Sequence, residues 1–188
     1  MKGGGSTKGK DAVDTHSRQF DYPLVTTARN EIDVRAAVES DLPLILHLIE
    51  SLAEYEKLRH ECVATEDALR ATLFGEHPSA EVLIANIDEV PQGFALFFHN
   101  YSTFLAQPGI FLEDLFVKPE ARGKGVGRAL LSSLGRLAVE RNCARLEWNV
   151  LDWNELAISF YKGIGAVPME EWTTFRLTGD ALKKLAEE

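Results

Sequence analysis

The sequence predicts a mixed α/β domain. Segments with apolar residues at helical spacing alternate with short runs rich in β-branched and aromatic residues, which are typical of strands. The 188-residue chain is 45% hydrophobic, which is enough for one substantial core but short for two. We therefore expect a single folded domain over residues 31–188. Residues 1–30 are polar and unpatterned, and their first part is rich in lysine and glycine, so we expect a flexible tail there.

The first half of the domain opens with a short extended run, Ile32–Arg35. Ser40 is then expected to cap a helix, because apolar residues recur every three or four positions from there to about Lys57. Thr65 is expected to cap a second helix that runs to Phe74, where glycine and proline follow and end it. The apolar residues of the first helix need only pack against the core.

Strands dominate the middle of the chain, and helices return towards the end. The residue types and turn signals predict strands at Glu81–Ile87, Gly93–Asn100, Phe111–Val117, Arg145–Val150 and Thr173–Leu177. Helical spacing predicts helices at Val126–Ala138 and Glu155–Lys162, and a last short helix capped by Thr178. The strands Glu81–Ile87 and Gly93–Asn100 are expected to form a hairpin.

Composition excludes several functions. A formal net charge of −9 disfavours a protein that grips nucleic acid and suits a cationic substrate better. Two distant cysteines predict neither a disulfide framework nor a zinc site, and His77 and His99 have no partners at metal-binding spacing. No apolar run reaches the roughly 18 residues of a membrane span, and no secretory signal is evident. We expect a cytoplasmic protein without a metal.

The most informative stretch is the glycine-rich loop between a predicted strand and a helix, Val117–Gly127. Glycines at alternate positions allow successive backbone N–H groups to point at one anion, and the new helix adds its positive end. No Walker A pattern fits the loop, and Arg128 stands where a dinucleotide fingerprint requires glycine. The loop therefore favours a diphosphate ligand of another kind.

The pattern Arg122-x-x-Gly125-x-Gly127 after a strand resembles the acetyl-CoA diphosphate loop of the GNAT superfamily. Further stretches are similar to its spermidine/spermine acetyltransferase branch, namely Leu52–Glu56, Phe74–Pro78, Leu112–Val117, Trp153–Glu155 and Phe160–Lys162. The resemblance runs from about Ile32 to Glu188. It implies the GNAT fold, a central mixed twisted β-sheet flanked by helices, and transfer of acetyl from acetyl-CoA to a primary amine of a small molecule in a ternary complex.

The resemblance also implies a catalytic pair. An alkyl ammonium leaves only roughly one molecule in a few thousand as free amine at neutral pH, so a base is needed. Glu113 is the implied base, acting through a water, and strand alternation is expected to set Asp114 on the opposite face. Tyr161 is the implied acid that protonates the departing thiolate. Backbone N–H groups around Phe116 or Val117 are expected to hold the oxyanion.

The remaining site residues are implied by the same resemblance. Those expected to bind acetyl-CoA are Leu115, Phe116, Val117, Arg122, Gly123, Lys124, Gly125, Val126, Gly127, Arg128, Asn154 and Tyr161. Those expected to line the amine site are Tyr55, Glu56, Glu76, Glu113, Asp114 and Trp153. For Asn154, capping the helix from Glu155 is an equally physical role.

The branch resemblance also suggests the substrate and the assembly. Tyr101–Phe104 lacks the acid and the tryptophan of the polyamine enzymes, whereas Val150–Asn154 and Ala53–Leu58 look like the thialysine-acetylating relatives. Phe98–Phe104 is similar to plant diamine and ornithine acetyltransferases. A short diamine or lysine-like amino acid is the implied substrate, and a homodimer is the implied assembly. Two other hypotheses stay open: a protein or peptide N-acetyltransferase, and a non-catalytic CoA-binding module.

Overall fold

The computed structural model describes residues 31–188, so the predicted tail over residues 1–30 lies outside the described residues. The chain forms two compact units, one ending at Trp148 and the other spanning Asn149–Glu188. The strands are β1 (Ile32–Ala36), β2 (Glu81–Ile87), β3 (Val90–Ser102), β4 (Gln107–Val117) and β5 (Leu146–Trp148). The helices are α1 (Leu42–Tyr55), α2 (Glu66–Leu73), α3 (Val126–Glu140), α4 (Glu155–Gly163) and α5 (Gly179–Ala186).

The first unit is built on a five-stranded sheet with the order β1-β2-β3-β4-β5. Neighbouring strands are antiparallel from β1 to β4, and β5 pairs with β4 in parallel. Strand β5 is parallel to β4 because α3 connects them. The helix carries the chain back along the sheet, so the next strand starts at the same end as β4. The predicted mixed sheet flanked by helices is confirmed.

The core lies on both faces of this sheet. Val82 and Ile84 of β2 belong to one buried cluster with apolar residues of α1 and α2. Leu83 and Ala85, which alternate with them, are also fully buried. The contacts of α3 with β1 to β5 account for the second face. Strand β2 is therefore buried on both sides, which explains its near-continuous apolar sequence.

Two irregularities shape one end of the sheet. The pairing of β3 with β4 passes from Phe97 opposite Leu112 to Leu96 opposite Asp114, so Glu113 is the extra residue of a β-bulge. Strand β5 pairs with β4 only from Ile110 to Leu112. Strand β4 thus continues past the end of β5, and the sheet opens at the position of the two predicted acidic residues.

Some predicted boundaries are correct and others are not. Strand β2 has the predicted bounds, and the Thr65 hydroxyl accepts a hydrogen bond from Ala68 N at 3.2 Å, as a helix cap should. The prediction of Ser40 as a cap is wrong: Ser40 lies in a 3-10 turn, and Asp41 precedes α1. The Asp41 carboxylate accepts from Val38 N at 2.8 Å and pairs with Arg35, contacts that a serine at this place does not supply.

The second unit contains α4 and α5. Asn154 Oδ1 accepts from Ala157 N at 3.3 Å, which confirms its role as the cap of α4. The predicted strand Thr173–Leu177 is wrong, because residues 173–177 have no regular secondary structure. Phe175 there is 92% exposed, and strand propensity without a partner does not stabilise a strand. Thr178 precedes α5 as predicted, but its side chain forms no capping bond.

No helix within residues 31–188 combines the length and apolar character needed to cross a membrane.

Candidate active site

The loop between β4 and α3 has the conformation of an anion-binding site. Gly123 and Gly125 have φ values of +74° and +96°, a left-handed region that favours glycine. The first backbone bond of α3 runs from Ala129 N to Gly125 O at 2.9 Å. The amides of Val126, Gly127 and Arg128 consequently have no acceptor inside the helix, and the helix dipole adds positive potential to them. This loop can hold a diphosphate.

Exposed cations surround these amides. Arg122, Lys124 and Arg128 are all exposed. Arg122 is also held from two sides, because its Nε donates to Val117 O at 3.1 Å and its guanidinium lies 4.4 Å above the centre of the Tyr55 ring. The predicted diphosphate residues thus converge on one loop, and Arg122 connects that loop to α1.

Gly93 of β3 lies in close contact with the residues on either side of the loop, a role that the sequence analysis missed. A Cβ atom on Gly93 would lie 2.5 Å from Phe116 O and 3.3 Å from Val126 Cγ1. Only glycine permits this close approach of β3 to the end of β4 and the start of α3. A glycine near the start of a strand was the available signal, because such a residue often marks close backbone contact.

The carboxylate of Glu56 lies at the C-terminal end of α1, where a negative charge is unfavourable. Lys57 adopts a left-handed φ of 64°, and Leu58 N donates to Ala53 O at 2.8 Å, which terminates the helix at Tyr55 with Glu56 as its C-terminal cap residue. Glu56 therefore lies at the negative end of the helix dipole. Burial raises the pKa of its carboxyl. A cation next to Glu56 would offset both effects.

The two acidic residues of β4 have different environments. Glu113, at the bulge, is exposed, whereas Asp114 is partly buried. Burial raises the pKa of Asp114 to about 6, and the charges of Glu113 and then Glu56 add to the effect. Because a bulge interrupts regular alternation, the two side chains are not fixed on opposite faces as the sequence analysis assumed.

Glu56 and Asp114 form an acidic site without a built-in counter-ion. Within residues 31–148, neither carboxylate forms an ion pair. Two partly buried carboxylates that repel each other favour either a proton or a bound cation. The site is therefore suited to an alkyl ammonium group.

The raised pKa of Asp114 predicts a specific stability effect. The folded protein holds this proton more tightly than the unfolded chain, so stability is lost as the pH rises from about 4 to about 6. Asp114→Asn removes the buried negative charge that lowers the stability of the folded protein at higher pH. We expect the variant to be more stable than wild type by about 2 kcal/mol at pH 8, and the difference to vanish below about pH 4.

Chemical denaturation at the two pH values measures this difference. The exposed Asp152 provides the control, since Asp152→Asn is the same chemical change and is expected to alter stability by less than about 0.5 kcal/mol. An Asp114→Asn protein that is no more stable than wild type at pH 8 would contradict the environment described for this carboxylate.

Glu76 is not part of the acidic site in this structure. Its side chain is 91% exposed and lies 4.0 Å from His77 Nε2. It is not among the charges that raise the pKa of Asp114. Its place in an amine site stays a prediction.

The remaining predicted residues belong to the second unit. Tyr161 lies on α4 with its ring 5.5 Å from that of Phe160, and burial raises the pKa of its phenol. A phenol with a raised pKa keeps its proton at neutral pH, as an acid catalyst must. Trp153 precedes the helix and is 54% exposed.

Comparisons with known proteins agree with this geometry. The family model of the acetyltransferase (GNAT) family matches residues 46–166. A thialysine N-epsilon-acetyltransferase from Bos taurus is 40% identical over 164 residues, covering 81% of this chain and 96% of its own. The L-ornithine N5-acetyltransferase NATA1 of Arabidopsis thaliana is 34% identical over 197 residues, covering 81% and 86%.

Among solved structures, an integron cassette protein from the mobile metagenome of V. cholerae superposes with a TM-score of 0.71 at 28% identity. The match covers 84% of this chain and 98% of the cassette protein. The loop between β4 and α3 (residues 118–125), here called the anion-binding loop for its conformation, the open sheet and these matches agree: the chain belongs to the GNAT acetyltransferase family, in its branch of small-amine N-acetyltransferases.

Proposed function

We propose that this enzyme acetylates a primary amine of a short diamine or a lysine-like amino acid, using acetyl-CoA in a ternary complex. The observation that carries the proposal is the acidic site of Glu56 and Asp114 on elements that Arg122 connects to the anion-binding loop. The substrates named for the bovine and Arabidopsis relatives, thialysine and ornithine, are short amines of this kind.

The loop residues fit the diphosphate of CoA. The left-handed glycines expose the amides at the start of α3, and Arg122, Lys124 and Arg128 supply positive charge. Leu115, Phe116 and Val117 continue β4 beyond β5, so backbone groups at that edge are candidates to bind the pantetheine arm and the carbonyl oxygen of the acetyl group. Asn154 is a further candidate for the arm. Acetyl-CoA supplies the activated thioester.

The acidic residues have two different roles, which are to bind the ammonium group and to remove its proton. Asp114 and Glu56 hold the substrate as an ammonium, because a cation relieves their mutual repulsion. Glu113 then accepts the proton through a water, which its exposed position allows. The neutral amine attacks the carbonyl carbon, a C–N bond forms, and the C–S bond breaks. Tyr161 donates its proton to the leaving thiolate, and the second proton of the attacking nitrogen is lost and restores the Tyr161 phenol, so that the amide product is neutral.

A panel of amines tests the substrate class. Initial rates of CoA thiol release would be measured with thialysine, lysine, ornithine, diaminopropane, putrescine, spermidine and a lysine peptide. We expect the highest kcat/KM among thialysine, ornithine and the short diamines. A peptide that exceeds all of them would overturn the proposed substrate class and support a protein N-acetyltransferase.

We further propose that residues 31–188 act as one catalytic domain in a cytoplasmic homodimer. Two exposed aromatic side chains of the second unit support the dimer. Trp172 and Phe175 are 74% and 92% exposed, and a partner chain would cover them. Sedimentation equilibrium is expected to give twice the chain mass of 20.9 kDa. A monomer at micromolar concentration would contradict the dimer but not the catalytic proposal.

A further inference from the structure

Arg122 lies at a junction between the anion-binding loop and two secondary-structure elements. Its guanidinium lies on the Tyr55 ring at the last residue of α1, and its Nε donates to Val117 O at the last residue of β4. These two contacts give the guanidinium a preferred orientation but do not immobilise it, because the Arg122 side chain is exposed. The position of Arg122 therefore depends on the ends of both α1 and β4.

The same two ends carry the acidic site. Glu56 directly follows Tyr55 in the sequence, and Asp114 lies shortly before Val117 on β4. The charge of Glu56 raises the pKa of Asp114, so the two carboxylates interact across the gap between α1 and β4. Arg122 thus connects α1 to β4, and the two carboxylates that repel each other lie on the same two elements.

We infer that the stacking of Arg122 on Tyr55 couples the two substrates of this enzyme. An anion bound at the loop restrains Arg122, and the restrained guanidinium fixes Tyr55 and with it the adjacent Glu56 at the amine site. The inference rests on the proposed function and deepens it. Tyr55 is accordingly a positioning residue, which acts on the amine through Glu56.

Coupling of this kind is reciprocal. If CoA increases the affinity for the amine by some factor, the amine increases the affinity for CoA by the same factor. We expect a factor of about two to five, at or below the low end of typical couplings, because one exposed cation–π contact transmits it.

Titration calorimetry measures the coupling directly. CoA would be titrated into wild type with and without a saturating concentration of the amine of highest kcat/KM in the panel, and the amine would be titrated with and without CoA. Wild type is expected to show equal factors in the two directions. Tyr55→Leu is expected to abolish the factor while CoA alone binds within about threefold of wild type.

A conservative variant separates stacking from simple packing. Tyr55→Phe keeps the ring under Arg122 and is expected to retain the wild-type coupling factor. Arg122→Lys keeps the charge but loses the planar guanidinium, so it is expected to lose the coupling as Tyr55→Leu does. In the Arg122→Lys background, Tyr55→Leu is expected to have no further effect, as a double-mutant cycle requires of a direct contact.

Each result bears on a different claim. Coupling that survives Tyr55→Leu, coupling absent from wild type, or equal losses in Tyr55→Phe and Tyr55→Leu would overturn the inference. Wild type that binds CoA but acetylates no amine would instead overturn the proposed function. Thermal unfolding of every variant identifies any protein that has lost its fold.

Discussion

Replacing Tyr161 with phenylalanine is expected to lower kcat by about 10²- to 10⁴-fold while leaving the affinity for CoA almost unchanged. The phenol is the proposed acid for the leaving thiolate, and it is protonated at neutral pH because burial raises a pKa that already lies well above neutrality. Phenylalanine retains the ring and its packing beside Phe160 but has no proton to give.

Steady-state kinetics with saturating acetyl-CoA and amine measure this loss, and calorimetry checks CoA binding. Tyr101, 60% exposed on β3, offers the control, since Tyr101→Phe removes the same hydroxyl and is expected to leave kcat within about twofold of wild type. If Tyr161→Phe keeps more than a third of the wild-type kcat, Tyr161 is not the acid.

Replacing Gly127 with alanine is expected to weaken CoA binding by at least about tenfold without harming the fold. An added Cβ meets only Val117 Cγ2 at an ordinary 3.8 Å, and alanine favours a helix more than glycine does. The protein itself tolerates the methyl group. The loss arises because the methyl group occupies space that a diphosphate needs next to the first amides of α3.

Gly135 in the middle of α3 provides the matched control. A Cβ there has no atom within 4 Å, so Gly135→Ala is expected to stabilise the protein by about 0.5 to 1 kcal/mol and to leave CoA affinity unchanged. Equal CoA affinities for Gly127→Ala and Gly135→Ala would place the diphosphate elsewhere.

Local signals in the sequence were sufficient for much of the fold. The bounds of β2, the Thr65 cap and the glycine loop before α3 were predictable because each depends on nearby residues and backbone conformation. The predicted cap at Ser40 failed because Asp41 gains a longer-range contact with Arg35. The predicted strand at Thr173–Leu177 failed because strand-favouring residue types alone do not make a strand.

The site depended more strongly on tertiary structure. The bulge at Glu113 arises from the register between β3 and β4, which the alternation of one strand does not encode. The raised pKa of Asp114 and the stacking of Arg122 on Tyr55 require α1 and β4 to meet. Family resemblance named these residues, but only the packing of α1 against the sheet gives their interactions a physical basis.

The most direct test of the central claim is to follow CoA release from acetyl-CoA by the wild-type protein, with and without the preferred short amine, while the acetylated amine is quantified by chromatography. The proposed function predicts thiol release that depends on the amine, with one N-acetyl product formed for each thiol. Tight CoA binding with no amine-dependent release would contradict it and identify the protein as a non-catalytic CoA-binding module.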